Sequence, residues 1–199
     1  MREPSAGRNK MSREYIARDP RTGKAIQKFN QNYQDEDIRA LLPQSGPWQR
    51  IPLQDILLLA SGKVKKIELP INDGRGGFAG RIDGIKALNR VLESDVDKAH
   101  SILLDALDDD YPDVRIAALK SMPSFSLRKS TSIFQFLSDR LMDENDAVRE
   151  ESRECLKLLS PIFPSGCENI LRRELRSQLM TSRGDAFEAL RLTAKRWPE

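Results

Sequence analysis

Asp109-Asp110-Tyr111-Pro112-Asp113-Val114-Arg115 and Asp143-Glu144-Asn145-Asp146-Ala147-Val148-Arg149 lie 34 residues apart and share one frame: an aspartate, then an arginine six positions on, with valine just before it. The frame extends outward. Arginine recurs at the same interval as Arg81, Arg115, Arg149 and Arg183. Three positions after each stands a small residue, Gly84, Ala118, Ser152 and Ala186. Six after stands another, Ala87, Ser121, Cys155 and Ala189, and seven after a large apolar one, Leu88, Met122, Leu156 and Leu190. Self-similarity at a fixed interval of this length marks a helical solenoid, in which each unit buries its apolar face only against its neighbours.

Upstream of each arginine a second pattern keeps step. Ile102, Leu103 and Leu107 are followed 34 residues later by Phe136, Leu137 and Leu141, and then by Ile170, Leu171 and Leu175. The stripe Ile102-Leu103-Ala106-Leu107 has helical spacing and one buried face. Each unit is therefore two helices joined by a turn. Pro112 suits the first turn of the second helix, where no N–H is required of it. Asp146 suits an N-cap or first-turn site, where its carboxylate meets unpaired N–H groups. The small residues let the two helices approach closely, and the large ones fill the layer between units.

The first and last units depart from the pattern. Residues 64–71 hold Pro70 and alternate apolar with charged, so they read as extended chain. In the last unit Ser177 stands where the aspartate would be.

The two acidic segments resemble the HEAT repeat, in particular the short HEAT-like type named after phycobilisome lyases. That resemblance implies an all-α fold, a right-handed α-solenoid of about four helical hairpins with an irregular N-terminal arm and cap. It also implies that Asp109, Arg115, Asp143 and Arg149 form a structural Asp/Arg ladder. The tetratricopeptide repeat has the same 34-residue length. Its first helix calls for Trp, Gly and Tyr, which Ile102–Leu107 and Phe136–Leu141 do not supply.

Three segments follow along the chain. Residues 1–45 form a basic arm, with eight Lys and Arg against three acidic residues before residue 29, and read as disordered or extended. Within it Asp35 to Leu42 is a short helix candidate. Residues 46–76 form a cap and Gly-rich connector, in which Leu53 to Ala60 is a short apolar helix closed by Gly62. Residues 77–199 form the repeat domain.

Composition limits the function. The net charge is +3 and 32% of residues are charged, a solvated surface without the strong basic excess of a duplex-binding protein. The longest wholly apolar run, Ile56 to Ala60, is too short to span a bilayer, and the N-terminus has no apolar leader. A cytoplasmic protein is expected, with the nucleus as the alternative. Cys155 and Cys167 do not make a disulfide framework, and Cys155 sits at a core position.

Candidate chemistry is sparse. His100 is the single histidine, so neither a metal centre nor a Ser-His-Asp set can be assembled. The stretch Asn72-Asp73-Gly74-Arg75-Gly76-Gly77-Phe78-Ala79-Gly80-Arg81 could turn backbone N–H groups toward an anion at a helix start. It lacks the Gly-Lys-Ser/Thr of a P-loop and the third glycine of a dinucleotide fingerprint, and its bland reading is a connector. Trp48 and Trp197 read as covers for the two ends. On the second helices, Asp83, Lys86, Ala117, Lys120, Glu151, Glu154, Asp185 and Glu188 are the expected exposed face, and their mixed signs suit a protein surface.

The expected function is a non-catalytic protein-interaction or assembly factor, with no cofactor, metal or membrane. Candidate contacts are Lys63, Lys65, Lys66, Arg75, Arg81, Lys86, Lys120, Arg172, Arg173 and Arg176. The alternative is nucleic-acid or ribonucleoprotein binding through the basic arm and the Gly-Arg loop. A lyase or chaperone role rests on the resemblance alone.

Overall fold

Helix starts and stops follow the turn chemistry. The computed structural model describes residues 47–72, 75–92, 94–126 and 130–196. The basic arm, the helix candidate at Asp35 to Leu42 and Trp197 lie outside them. Eight α-helices are found among the described residues. They are α1 (Leu53–Ala60), α2 (Arg81–Ala87), α3 (Val96–Leu107), α4 (Pro112–Ser126), α5 (Ser130–Arg140), α6 (Asp146–Leu159), α7 (Pro164–Leu175) and α8 (Met180–Arg196). Single 3-10 turns, Pro47–Arg50 and Leu88–Val91, precede α1 and continue α2.

Pro112 and Pro164 each open a helix, where a missing N–H leaves no bond unmade. Asp95 caps α3 by accepting from the Lys98 amide. Asn145 caps α6 by accepting from the amides of Ala147 and Val148, so Asp146 is the first helical residue and not the cap. After α1 the chain reverses at Gly62, whose φ of +74° is left-handed and favours glycine.

The helices pack as pairs: α1 on α2, α3 on α4, α5 on α6 and α7 on α8. Each even-numbered helix also packs on the next even-numbered one, and each odd-numbered helix on the next odd-numbered one. The described chain is thus mostly helical, with a single hydrophobic core shared along the pairs. The periodic residues form that core. Gly84, Ala118, Ser152 and Ala186 are all buried, as are Ala87, Ser121, Cys155 and Ala189. The close approach is literal at Gly84, where an added Cβ would lie 2.6 Å from the Ala60 amide nitrogen and 2.7 Å from Leu59 Cβ.

Between α1 and α2 the chain makes an antiparallel hairpin of β1 (Lys66–Asn72) and β2 (Arg75–Gly80), with Lys66 opposite Gly80 and Leu69 opposite Gly77. The pairing is irregular between Leu69 and Asn72, where Pro70 has no N–H to give. The extended reading of residues 64–71 holds from Lys66 onward, Val64 and Lys65 being a bend, but the Gly-rich stretch is a strand rather than a loop or connector. The boundary drawn at residue 76 therefore cuts a strand. Backbone pairing with β1 overrides the weak strand preference of glycine, and Leu69 and Ala79 turn into the core. The helix α1 is not a separate cap either. It is the first member of a helix pair, packed on α2 and α3.

Candidate functional site

Two of the repeated arginines, Arg81 and Arg115, join successive units, while Arg149 and Arg183 bond within their own. Arg115 Nη1 donates to the carbonyls of Asp109 and Asp110, at 2.7 and 3.1 Å, fixing the turn of its own unit. Its Nη2 donates to Asp143 Oδ1 at 2.7 Å, in the turn 28 residues on. Arg81 Nη1 reaches Asp109 Oδ2 at 2.6 Å in the same sense. Arg149 Nη1 repeats the carbonyl bonds, to Asp143 at 2.5 Å and Glu144 at 3.0 Å. Its Nη2 pairs with Asp146 of its own helix, and position 177, the counterpart of Asp143, is a serine. Arg183 Nη1 donates to the Ser177 carbonyl at 2.6 Å.

The acceptor turns share one shape. Asp109 Oδ1 accepts from the Tyr111 amide at 2.9 Å and Asp143 Oδ1 from the Asn145 amide at 3.0 Å. Ser177 Oγ accepts from the Leu179 amide at 3.2 Å. Arg140 adds a bond to Asp143 at 3.2 Å. Burial alone would raise the Asp143 pKa. The hydrogen bonds from Arg115 and the Asn145 amide, with the charges of Arg115 and Arg140, outweigh it and hold the carboxyl below the ordinary aspartate value.

Further ion pairs tie even-numbered helices to one another. Lys120 meets Glu151 at 3.4 Å, and Arg153 and Lys157 meet Asp185 at 2.9 and 3.1 Å. Burial pushes the Glu151 carboxyl up despite Lys120. Ala117 is buried, not part of an exposed face as its position predicts. The helix α4 is packed by α2, α3, α5 and α6, which leaves little of its surface to solvent.

The structure separates the candidate contacts. Arg81, Lys120, Arg172 and Arg173 are each held by a carboxylate, those of Asp109, Glu151, Glu168 and Glu174 respectively. Arg173 also donates to Ser138 of α5. Lys63, Lys65 and Lys66 come together, exposed, at the entry to β1, and Lys66 Nζ lies 4.7 Å from the centre of the exposed Phe78 ring. Arg75 is in β2. Lys86 is half-buried on α2, and Arg176 is exposed at the end of α7. The start of α2 is not an open anion site, since the Gly80 N–H already donates to Asp83 Oδ2 at 3.0 Å.

Sequence reasoning missed an apolar edge. Leu175, Leu179, Met180, Phe187 and Leu190 are exposed on α7, α8 and the turn between them. Phe187 occupies the frame position of Ile85 and Leu119, both wholly buried, and of Arg153, which pairs with Asp185, yet it is 66% exposed. Leu190 is 38% exposed where Leu88, Met122 and Leu156 are buried. The helices that carry those earlier side chains each pack against the next even-numbered helix. The signal was in the periodicity, which marks Leu190 as a position that is apolar and buried in every earlier unit.

The remaining reactive residues are core. Burial pushes both thiols up, Cys167 to about 12, and Cys155 lies 3.6 Å from Met122 Sδ. His100 is buried on α3. Among the described residues no three of His, Cys, Asp and Glu gather as a metal site would need, and no helix is long and apolar enough to cross a membrane. In comparisons with known proteins, no family model, curated protein or solved structure matches the chain.

Proposed function

We propose that the chain is a right-handed solenoid of four HEAT-like helix hairpins that serves as a protein-interaction or assembly factor inside the cell. The pairwise packing of odd and even helices and the arginine-to-aspartate bonds between successive units support the architecture. The observation that carries the function is the uncovered edge of the last pair. Phe187 and Leu190 present apolar surface at positions where every earlier unit has a partner helix. Apolar side chains gathered on one face, with charged residues around them, are how a partner is held. Arg81, Lys120, Arg172 and Arg173 are already paired with carboxylates of the chain, which favours a protein partner over a phosphate backbone at those positions. In co-purification from native cells, a Phe187→Ser/Leu190→Ser chain loses the protein partner that the wild-type chain retains. Equal retention by a folded double variant contradicts the reading.

A second reading has one specific support. Lys63, Lys65 and Lys66 are exposed and Lys66 lies over the exposed Phe78 ring, a combination of cations and an aromatic face that suits single-stranded nucleic acid. Binding of an oligonucleotide that weakens steeply with salt and is lost in Phe78→Ala would establish it. Binding that is absent at low salt removes it.

A further inference from the structure

Position 177 is the one place where the arginine-to-carboxylate series meets an alcohol. Asp109 and Asp143 each accept an amide two residues on and a guanidinium from the preceding unit. Ser177 Oγ accepts the corresponding amide, from Leu179, so its side chain sits in the same turn geometry. Arg149 stands 28 residues before it, as Arg115 stands before Asp143. Its Nη1 makes the two carbonyl bonds that Arg115 makes, while its Nη2, the atom that in Arg115 reaches across to the next turn, is paired with the exposed Asp146 of its own helix. Arg183 Nη1 donates to the Ser177 carbonyl. An anionic side chain at 177 is the missing member of the series, and serine becomes one by a single modification.

We propose that Ser177 is a phosphorylation site, and that its phosphate bonds Arg149 and fastens the last helix pair to the stack. Ser177 lies in the turn between α7 and α8, only half-buried, with the exposed Arg176 beside it and Arg172 exposed one turn earlier on α7. In the transfer, Ser177 Oγ attacks the γ-phosphorus of a nucleoside triphosphate bound to a protein kinase. A new O–P bond forms, the bond to the bridging oxygen of the diphosphate breaks, and the hydroxyl proton passes to a base of the kinase. The products are phosphoserine and nucleoside diphosphate. The added group carries a charge of about −2 and three acceptor oxygens, enough to engage Arg149 without releasing the bond from Arg183 to the Ser177 carbonyl. The effect is ordering of α7 and α8, which carry the apolar edge of the proposed interaction.

The test places phosphoserine at 177 of the full chain by genetic encoding and follows thermal unfolding. Phosphoserine raises Tm by about 3 °C over the unmodified chain, and Ser177→Asp by about half as much. Both gains vanish in an Arg149→Gln background and survive in part with Arg149→Lys. No gain, or a gain that is the same with Arg149→Gln, overturns the proposal. The second readout is peptide mapping of the native protein purified with phosphatase inhibitors. Phosphate on the peptide carrying Ser177 is expected, and its absence through growth and stress shows that the position is an ordinary serine.

Discussion

Arg115 Nη2 and Asp143 Oδ1 lie 2.7 Å apart with both side chains almost wholly buried, at 4% and 3% exposure, and they belong to successive units. The pair is more than a contact. Arg115 also closes its own turn through the carbonyls of Asp109 and Asp110, so one guanidinium sets the spacing between two helix pairs. Removing Arg115 takes the nearer of two cations from the buried Asp143, leaving only Arg140, and also breaks the carbonyl bonds of its own turn. Arg115→Ala is expected to lower the unfolding free energy by about 3–5 kcal/mol, measured by urea denaturation. Arg81→Ala, at a pair whose arginine is 31% exposed, is expected to cost about 1 kcal/mol. Equal losses at the two sites would show that burial does not set the strength of these bonds.

Asp143 gives the pair a pH signature. Its folded pKa is depressed, so its contribution to stability is complete above the ordinary aspartate pKa, about 4, and is lost as pH falls through the lower folded value. Stability measured from neutral to acid pH should fall more steeply for the wild-type chain than for Asp143→Asn. The two should differ by a constant amount above about pH 5 and converge below. Parallel curves throughout would mean that Asp143 titrates alike in both states.

Two glycines test the packing from opposite sides. Gly84→Ala adds a methyl 2.6 Å from the Ala60 nitrogen, where backbone has to move. It is expected to destabilise by about 1–3 kcal/mol despite alanine's better helix propensity. Gly184→Ala meets nothing within 4 Å on α8 and is expected to stabilise by up to about 1 kcal/mol. Chemical denaturation of the two variants side by side decides it.

Cys155 and Cys167 are buried with raised pKa values, so neither is a thiolate at neutral pH. An aromatic disulfide reagent should leave both unmodified in the native chain and titrate both in denaturant. Fast modification of either in the folded state would place a reactive thiol where the packing shows none.

Much of the helical plan was legible because side-chain packing repeats with the chain. The small residues at Gly84, Ala118, Ser152 and Ala186 fill the same interface in every unit, so their spacing announces it. The hairpin was harder to read. Gly76, Gly77 and Gly80 have poor strand preference, and only the partner strand at Lys66–Asn72 makes them extended. Ala117 was misread because a single-helix wheel cannot tell how many neighbours surround α4. The apolar edge escaped for a related reason. Leu190 has the sequence context of Leu88 and Leu156, and whether a helix covers it is a property of the stack.

The most direct measurement is purification of the tagged chain from its own cells, with and without nuclease, followed by identification of what elutes with it. The interaction-factor account predicts a protein partner that stays bound after nuclease treatment and releases little in high salt. Loss of every partner on nuclease treatment, with nucleic acid in the untreated eluate, would contradict it and make Lys63, Lys65, Lys66 and Phe78 the principal surface.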